Sequence, residues 1–155
     1  MGLSLQFVIG NRTEILNAIR QFDFDFIEKL ESENKLADFS LHLIPNDLNL
    51  LVNSANEALD ETPFGLRENL DFSEHFVDSE DGGATLVSPK VSVLFSRFDR
   101  SKVRGLADRW VEKMEKMHNE KIGVNPEIMN SIDQLIGISK KSIEQNLDLI
   151  HIWFK

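Results

Sequence analysis

Four histidines, twenty-six carboxylates and no cysteine bound the chemistry open to this chain. Without cysteine there is no disulfide, no thiol nucleophile and no thiolate metal site. His42, His75, His118 and His151 stand far apart, and no two have the spacing of paired metal ligands. His42 and His151 both fall in expected strands, so they become neighbours if those strands pair; the competing reading is two ordinary strand histidines with satisfied hydrogen bonds. His118 follows a charged helix end, where a cation suits the helix dipole. Glu74 and His75 are consecutive, face away from each other and have no nucleophile nearby.

No motif for nucleophilic, metal or phosphate chemistry is present: no G-x-S-x-G, H-E-x-x-H, Walker A or G-x-G-x-x-G. Gly82-Gly83 lacks a following lysine, and the preceding Asp78, Glu80 and Asp81 would repel phosphate. Asp78 to Gly82 has the look of a calcium loop. Counted from Asp78, however, the twelfth position, where the bidentate glutamate belongs, is Pro89. Trp110, Met114 and Met117 lie at helical spacing and read as a core stripe. No catalytic residue, metal ligand set or cofactor is therefore expected.

One segment rises above this background. Residues 60–87 hold Asp60, Glu61, Glu68, Asp71, Glu74, Asp78, Glu80 and Asp81 against a single base, Arg67, and so carry most of the chain's net charge of −9. Phe64, Leu66, Leu70, Phe72, Phe76 and Val77 are interleaved with them. Large apolar side chains among carboxylates can form a binding patch, the rings supplying buried area and the acids steering a basic partner. The patch so expected comprises Asp71, Phe72, Glu74, Phe76, Asp78, Glu80 and Asp81. The plainer alternative is that the apolar residues staple a long loop to the core while the acids keep it soluble.

The elements that would position this segment follow from periodicity. Leu3, Leu5, Phe7 and Ile9 alternate with smaller or polar residues, a strand pattern. Asn11, with Glu14 three residues on, predicts a capped helix running on to about Asn34 through Ile15, Ile19, Phe22, Phe26 and Leu30. Phe39, Leu41 and Leu43 predict a second strand that stops before Pro45, and Asn46 a cap for the helix after it. Residues 60–87 have no sustained period and read as an irregular excursion, with one helical turn near Arg67 to Phe76. Ser88-Pro89 and Asn125-Pro126 are helix starts. Between them Ser101 opens another helix, with Met117 on its inner face and Gly123 as its stop. Ile143 lies on the inner face of the last helix. Leu147 to Phe154 is apolar on both faces, as expected of a central strand, and its natural partner is the first strand.

The fold class is thus α+β. A small sheet containing the N- and C-terminal strands packs with about five helices around one long acidic loop, in a single domain over residues 1–155. The acidic balance argues against nucleic acid and for a basic protein as partner. The first residues do not read as a signal peptide. Gln6 stands where a myristoylation motif wants Ser or Thr, and the longest uncharged run is far short of the ~20 residues of a membrane span. A cytoplasmic, membrane-free protein is the expectation.

The layout is similar to the YfbM-like family of uncharacterised bacterial proteins. The likeness is carried by Met1-Gly2 running straight into a strand and by Leu86-Val87-Ser88-Pro89 opening a helix, with two more helices and a hydrophobic strand to close. It implies a fold, and it brings no activity and no functional residues. On composition alone the chain also resembles bacterial immunity proteins. The function expected is a non-enzymatic protein-binding module; the alternative is a small hydrolase using carboxylates, with or without a divalent metal.

Overall fold

The computed structural model describes residues 4–41, 43–62 and 64–155, with residues 72–76 described by backbone alone. Among these, five strands form one antiparallel sheet in the order β2-β1-β5-β4-β3. They are β1 (Ser4–Gly10), β2 (Leu36–Asp38), β3 (Leu70–Asp78), β4 (Gly82–Val87) and β5 (Asp148–Phe154). Six helices accompany them: α1 (Arg12–Arg20), α2 (Phe24–Ser32), α3 (Pro45–Ala58), α4 (Pro89–Ser96), α5 (Val103–His118) and α6 (Pro126–Gln145).

The last strand is central, as its composition requires. β5 pairs with β1 on one side and β4 on the other. Leu149 meets the core under α3–α6, while Ile150 and Ile152 meet the smaller core under α1 and α2. A strand buried on both faces cannot alternate apolar with polar, and this one does not.

Caps fix the helices locally. Asn11, Ser88 and Asn125 accept backbone N–H bonds from Glu14, Lys90 and Ile128, as the sequence predicts. Several expectations are corrected. The single first helix is two: the chain turns at Phe22, whose φ is 52°, and Asp23 caps α2 by accepting from Phe26 N. The strand expected over Phe39–Leu43 is β2, three residues earlier. Helix α3 starts at Pro45 rather than beyond Asn46, and the Asp47 side chain takes the Ile44 N–H. Helix α5 is preceded by a 3-10 turn, Arg100–Lys102, and ends at His118, where Asn119 adopts a left-handed conformation with φ 51°, ahead of Gly123. Met117 and Ile143, expected inward, are exposed.

The largest difference concerns the acidic segment. Apart from a short 3-10 turn at Arg67–Asn69, residues 70–87 are a β-hairpin rather than an irregular excursion. The hairpin register jumps: Asp71 pairs with Leu86 and Phe76 with Thr85, so residues 72–75 bulge out of β3 without partners on β4. That bulge destroys the two-residue period by which the strand would have been recognised.

Candidate functional site

The hairpin divides the expected patch. Asp78, Glu80 and Asp81 sit together and exposed at its tip, where Ser79–Asp81 connect β3 to β4. Asp71 lies at the far end of β3, opposite Leu86 where Asp78 is opposite Gly83, so three residues of β4 separate them, roughly 10 Å at the ~3.3 Å rise of a strand. Asp71 is half-buried there and makes contacts of its own. The side chains of Phe72, Glu74 and Phe76 lie outside the described residues, so their part in the patch is not placed.

The tip is held by its backbone. Ser79 donates to the Gly82 carbonyl from both N (2.9 Å) and Oγ (2.8 Å), and Lys155 N donates to the Asp81 carbonyl at 2.9 Å. Gly83 stands directly opposite Trp153 on β5, and a Cβ there would lie 2.3 Å from the Val77 carbonyl oxygen and 2.4 Å from the Trp153 ring. Glycine is required by that close approach. Among the described residues no cation pairs with Asp78, Glu80 or Asp81.

At the other end of the sheet lies a cleft of about 680 Å³, lined by Arg12, Asn69, Asp71, Ser88, Lys90 and Asp148, among others. Arg12 grips Asp148 with both Nε (3.0 Å) and Nη2 (3.2 Å). Both side chains are more than a third exposed, so this fork contributes at most about 1 kcal/mol.

Two buried polar groups have partners other than those the sequence suggests. Asp47 is 3% exposed; its Oδ1 is 2.6 Å from His118 Nε2, and its carbonyl accepts from Trp110 Nε1 at 2.8 Å. His118 therefore reaches a buried carboxylate, a more specific role than complementing a helix dipole. The pair walls a groove of about 530 Å³ with Ser40, Glu120 and Glu127. Nothing in the spacing of Asp47 and His118 announces the contact, because it joins two helices.

The second group is His151 on β5, 5% exposed and on the face covered by the larger core, stacked beside Phe7 and Trp153. Its Nδ1 bonds the Gln6 carbonyl at 3.0 Å. A carbonyl can only accept, so Nδ1 carries the hydrogen and Nε2 of the neutral ring is a bare acceptor. His151 lines a cavity of about 340 Å³ together with Pro45, Asn46 and Asn49 of α3, Leu66, Arg67 and Leu70. His42, its expected neighbour, lies outside the described residues. The expected pairing of their strands does not occur, since β2 adjoins β1 and not β5.

Burial strips water from the charged imidazole and pushes the His151 pKa down to about 4, against a weaker pull upward from the Gln6 carbonyl. The unfolded chain, with an ordinary histidine, binds this proton near pH 6.5, so the stability conferred by the neutral ring is complete above that pH. It is lost as the pH falls toward 4, to a limit of about 3 kcal/mol. Urea midpoints at pH 7 and pH 4.5 should differ accordingly, and a His151→Gln variant should show a flatter dependence. An unchanged dependence in the variant would assign the acid sensitivity to other groups.

Among the described residues no group of three or more histidines, aspartates and glutamates is arranged to hold a metal ion. Nor is any helix there long and apolar enough to cross a membrane. No family model, no curated protein and no solved structure matches the chain.

Proposed function

We propose that this chain is a non-enzymatic, cytoplasmic protein-binding module, of the immunity-protein kind, that engages a basic partner through the acidic tip of the β3–β4 hairpin. The observation that supports this reading is the state of three carboxylates. Asp78, Glu80 and Asp81 are exposed, close in sequence and without an ion pair among the described residues, on a connection fixed by backbone hydrogen bonds. Carboxylates that only solubilise a surface have no need of a rigid mount. A preorganised cluster loses less freedom on binding and steers a cationic partner from a distance. β3 is also a sheet edge, paired with β4 on one side only, which leaves room for a partner to lie alongside. Nucleic acid is the wrong charge for this surface. The likeness to the YfbM-like proteins stays a proposal about fold and adds no activity.

The test is a charge reversal, Asp78→Lys with Glu80→Lys and Asp81→Lys. All three sites are exposed, so the variant should melt like the parent. Capture from the native cell at low salt should yield a basic protein that binds the parent with a strongly salt-dependent association rate. The reversal should weaken that binding at least about tenfold, since each close charge pair is worth ~1.5 kcal/mol or more. Equal capture by both chains would overturn the proposal.

The hydrolase alternative has one observation in its favour, the Asp47–His118 pair at the wall of a groove. Both Asp47 oxygens are already engaged, one by His118 and one by Ile44 N, which fits a carboxylate that ties α3 to α5 at least as well as one that moves protons.

A further inference from the structure

We propose that the His151 cavity is a binding site for a small oxyanion that also carries an O–H group, such as a hydroxycarboxylate or a phosphate. Four features converge on it. Nε2 of His151 is an acceptor without a donor among the described residues, although the residue is 95% buried by its 5% exposure. His151 lines the cavity, so a ligand O–H can meet that nitrogen.

Arg67 lines the same cavity and is exposed. It is the single base among the eight acids of residues 60–87, yet no ion pair forms at it among the described residues. A guanidinium that ignores so many carboxylates nearby is available to an oxyanion. The first two turns of α3, a fourteen-residue helix, contribute Asn46 and Asn49 to the wall. Asn49 spends its Oδ1 on Leu66 N at 2.7 Å, leaving its amide hydrogens for the cavity. The volume, about 340 Å³, is that of a small-metabolite site.

The division of labour sets the ligand chemistry. Arg67 asks for negative charge, and His151, its Nδ1 committed to Gln6, asks for a donated hydrogen. An oxyanion lacking O–H satisfies only the first. This site is independent of the hairpin tip, and charge reversal there should leave it intact.

Matched probes separate these demands: inorganic phosphate against sulfate, and glycolate against acetate, each pair differing in whether an O–H is present. Binding is read from the ¹⁵N resonance of His151 Nε2 in the full chain at pH 7, which moves upfield when that nitrogen accepts a hydrogen bond. Phosphate or glycolate is expected to move it saturably, with its matched partner at least about tenfold weaker. Which of the two binds identifies the phosphate or the hydroxycarboxylate source. Arg67→Ala, at an exposed position that cannot threaten the fold, should weaken the bound probe by about tenfold or more, as loss of a charge-assisted hydrogen bond does. Equal response to both members of each pair, no response to any, or undiminished binding by Arg67→Ala would each overturn the proposal.

Discussion

A chain ended at Leu147 is expected to show no cooperative unfolding transition. The cut removes β5 alone, yet β5 is bonded to β1 over the whole of both strands and to β4 over the whole of that strand. Without it the sheet separates into β2–β1 and β4–β3, and the larger and smaller cores lose what joins them. Leu149, Ile150 and Ile152, none more than 3% exposed, go with the strand. Each such side chain contributes about 1.5–3 kcal/mol on burial. Three of them approach the 5–15 kcal/mol net stability of an ordinary domain before any backbone pairing is counted. Far-ultraviolet circular dichroism through a urea titration is the measurement, and a sigmoidal transition in the shortened chain would refute the central role of β5.

Trp110→Ala should be the most damaging single substitution. Trp110 is fully buried, packs edge-on against Phe39 with ring centroids 5.9 Å apart, and donates its indole N–H to the Asp47 carbonyl. Truncating a buried tryptophan costs about 3–5 kcal/mol through lost contacts and the cavity left behind. For a domain of this size that is a fall in Tm on the order of 10 °C. Trp110→Phe isolates the hydrogen bond: it keeps most of the ring and should cost only about 1–2 kcal/mol. The His118 ring, bound to the other side of Asp47, offers a local reporter. Its resonances should shift in the alanine variant if the α3–α5 contact loosens as the geometry requires.

What the sequence revealed and what it hid follow from the range of the interactions involved. β1 and β5 were legible because their patterns are local and strong, period two in one and apolar on both faces in the other. Ser88-Pro89 and Asn125-Pro126 were legible because a cap bonds within three residues. The break at Phe22 is hidden by the helical stripe itself, since Ile15, Ile19, Phe22, Phe26 and Leu30 keep their spacing across the turn; Asp23, three residues before Phe26 and able to cap a new helix there, is the signal that marks it. β3 was hidden by its four-residue bulge and by acids that rarely favour strands. Asp71 and Asp78 look like members of one patch in the sequence, and the hairpin sets them at opposite ends of β3, opposite Leu86 and Gly83. The His151 cavity could not be read at all, because β5, α3 and the turn at Arg67 meet there only after the sheet has formed.

The position of β5 also governs how the molecule is made. Gln6 and His151 are bonded across a sequence separation of 145 residues, and both strand pairings through the middle of the sheet wait on β5, which follows the other described elements in the chain. While the chain is still being synthesised, α1 to α6 can form from local contacts, and the β3–β4 hairpin can close. β1 and β4, however, face each other across an empty lane. Both then display apolar edges of the kind that pair with any available strand. Closure of the sheet is thus a late, high-contact-order event, and the interval before it is when the unpaired edges of β1 and β4 are open to wrong pairing.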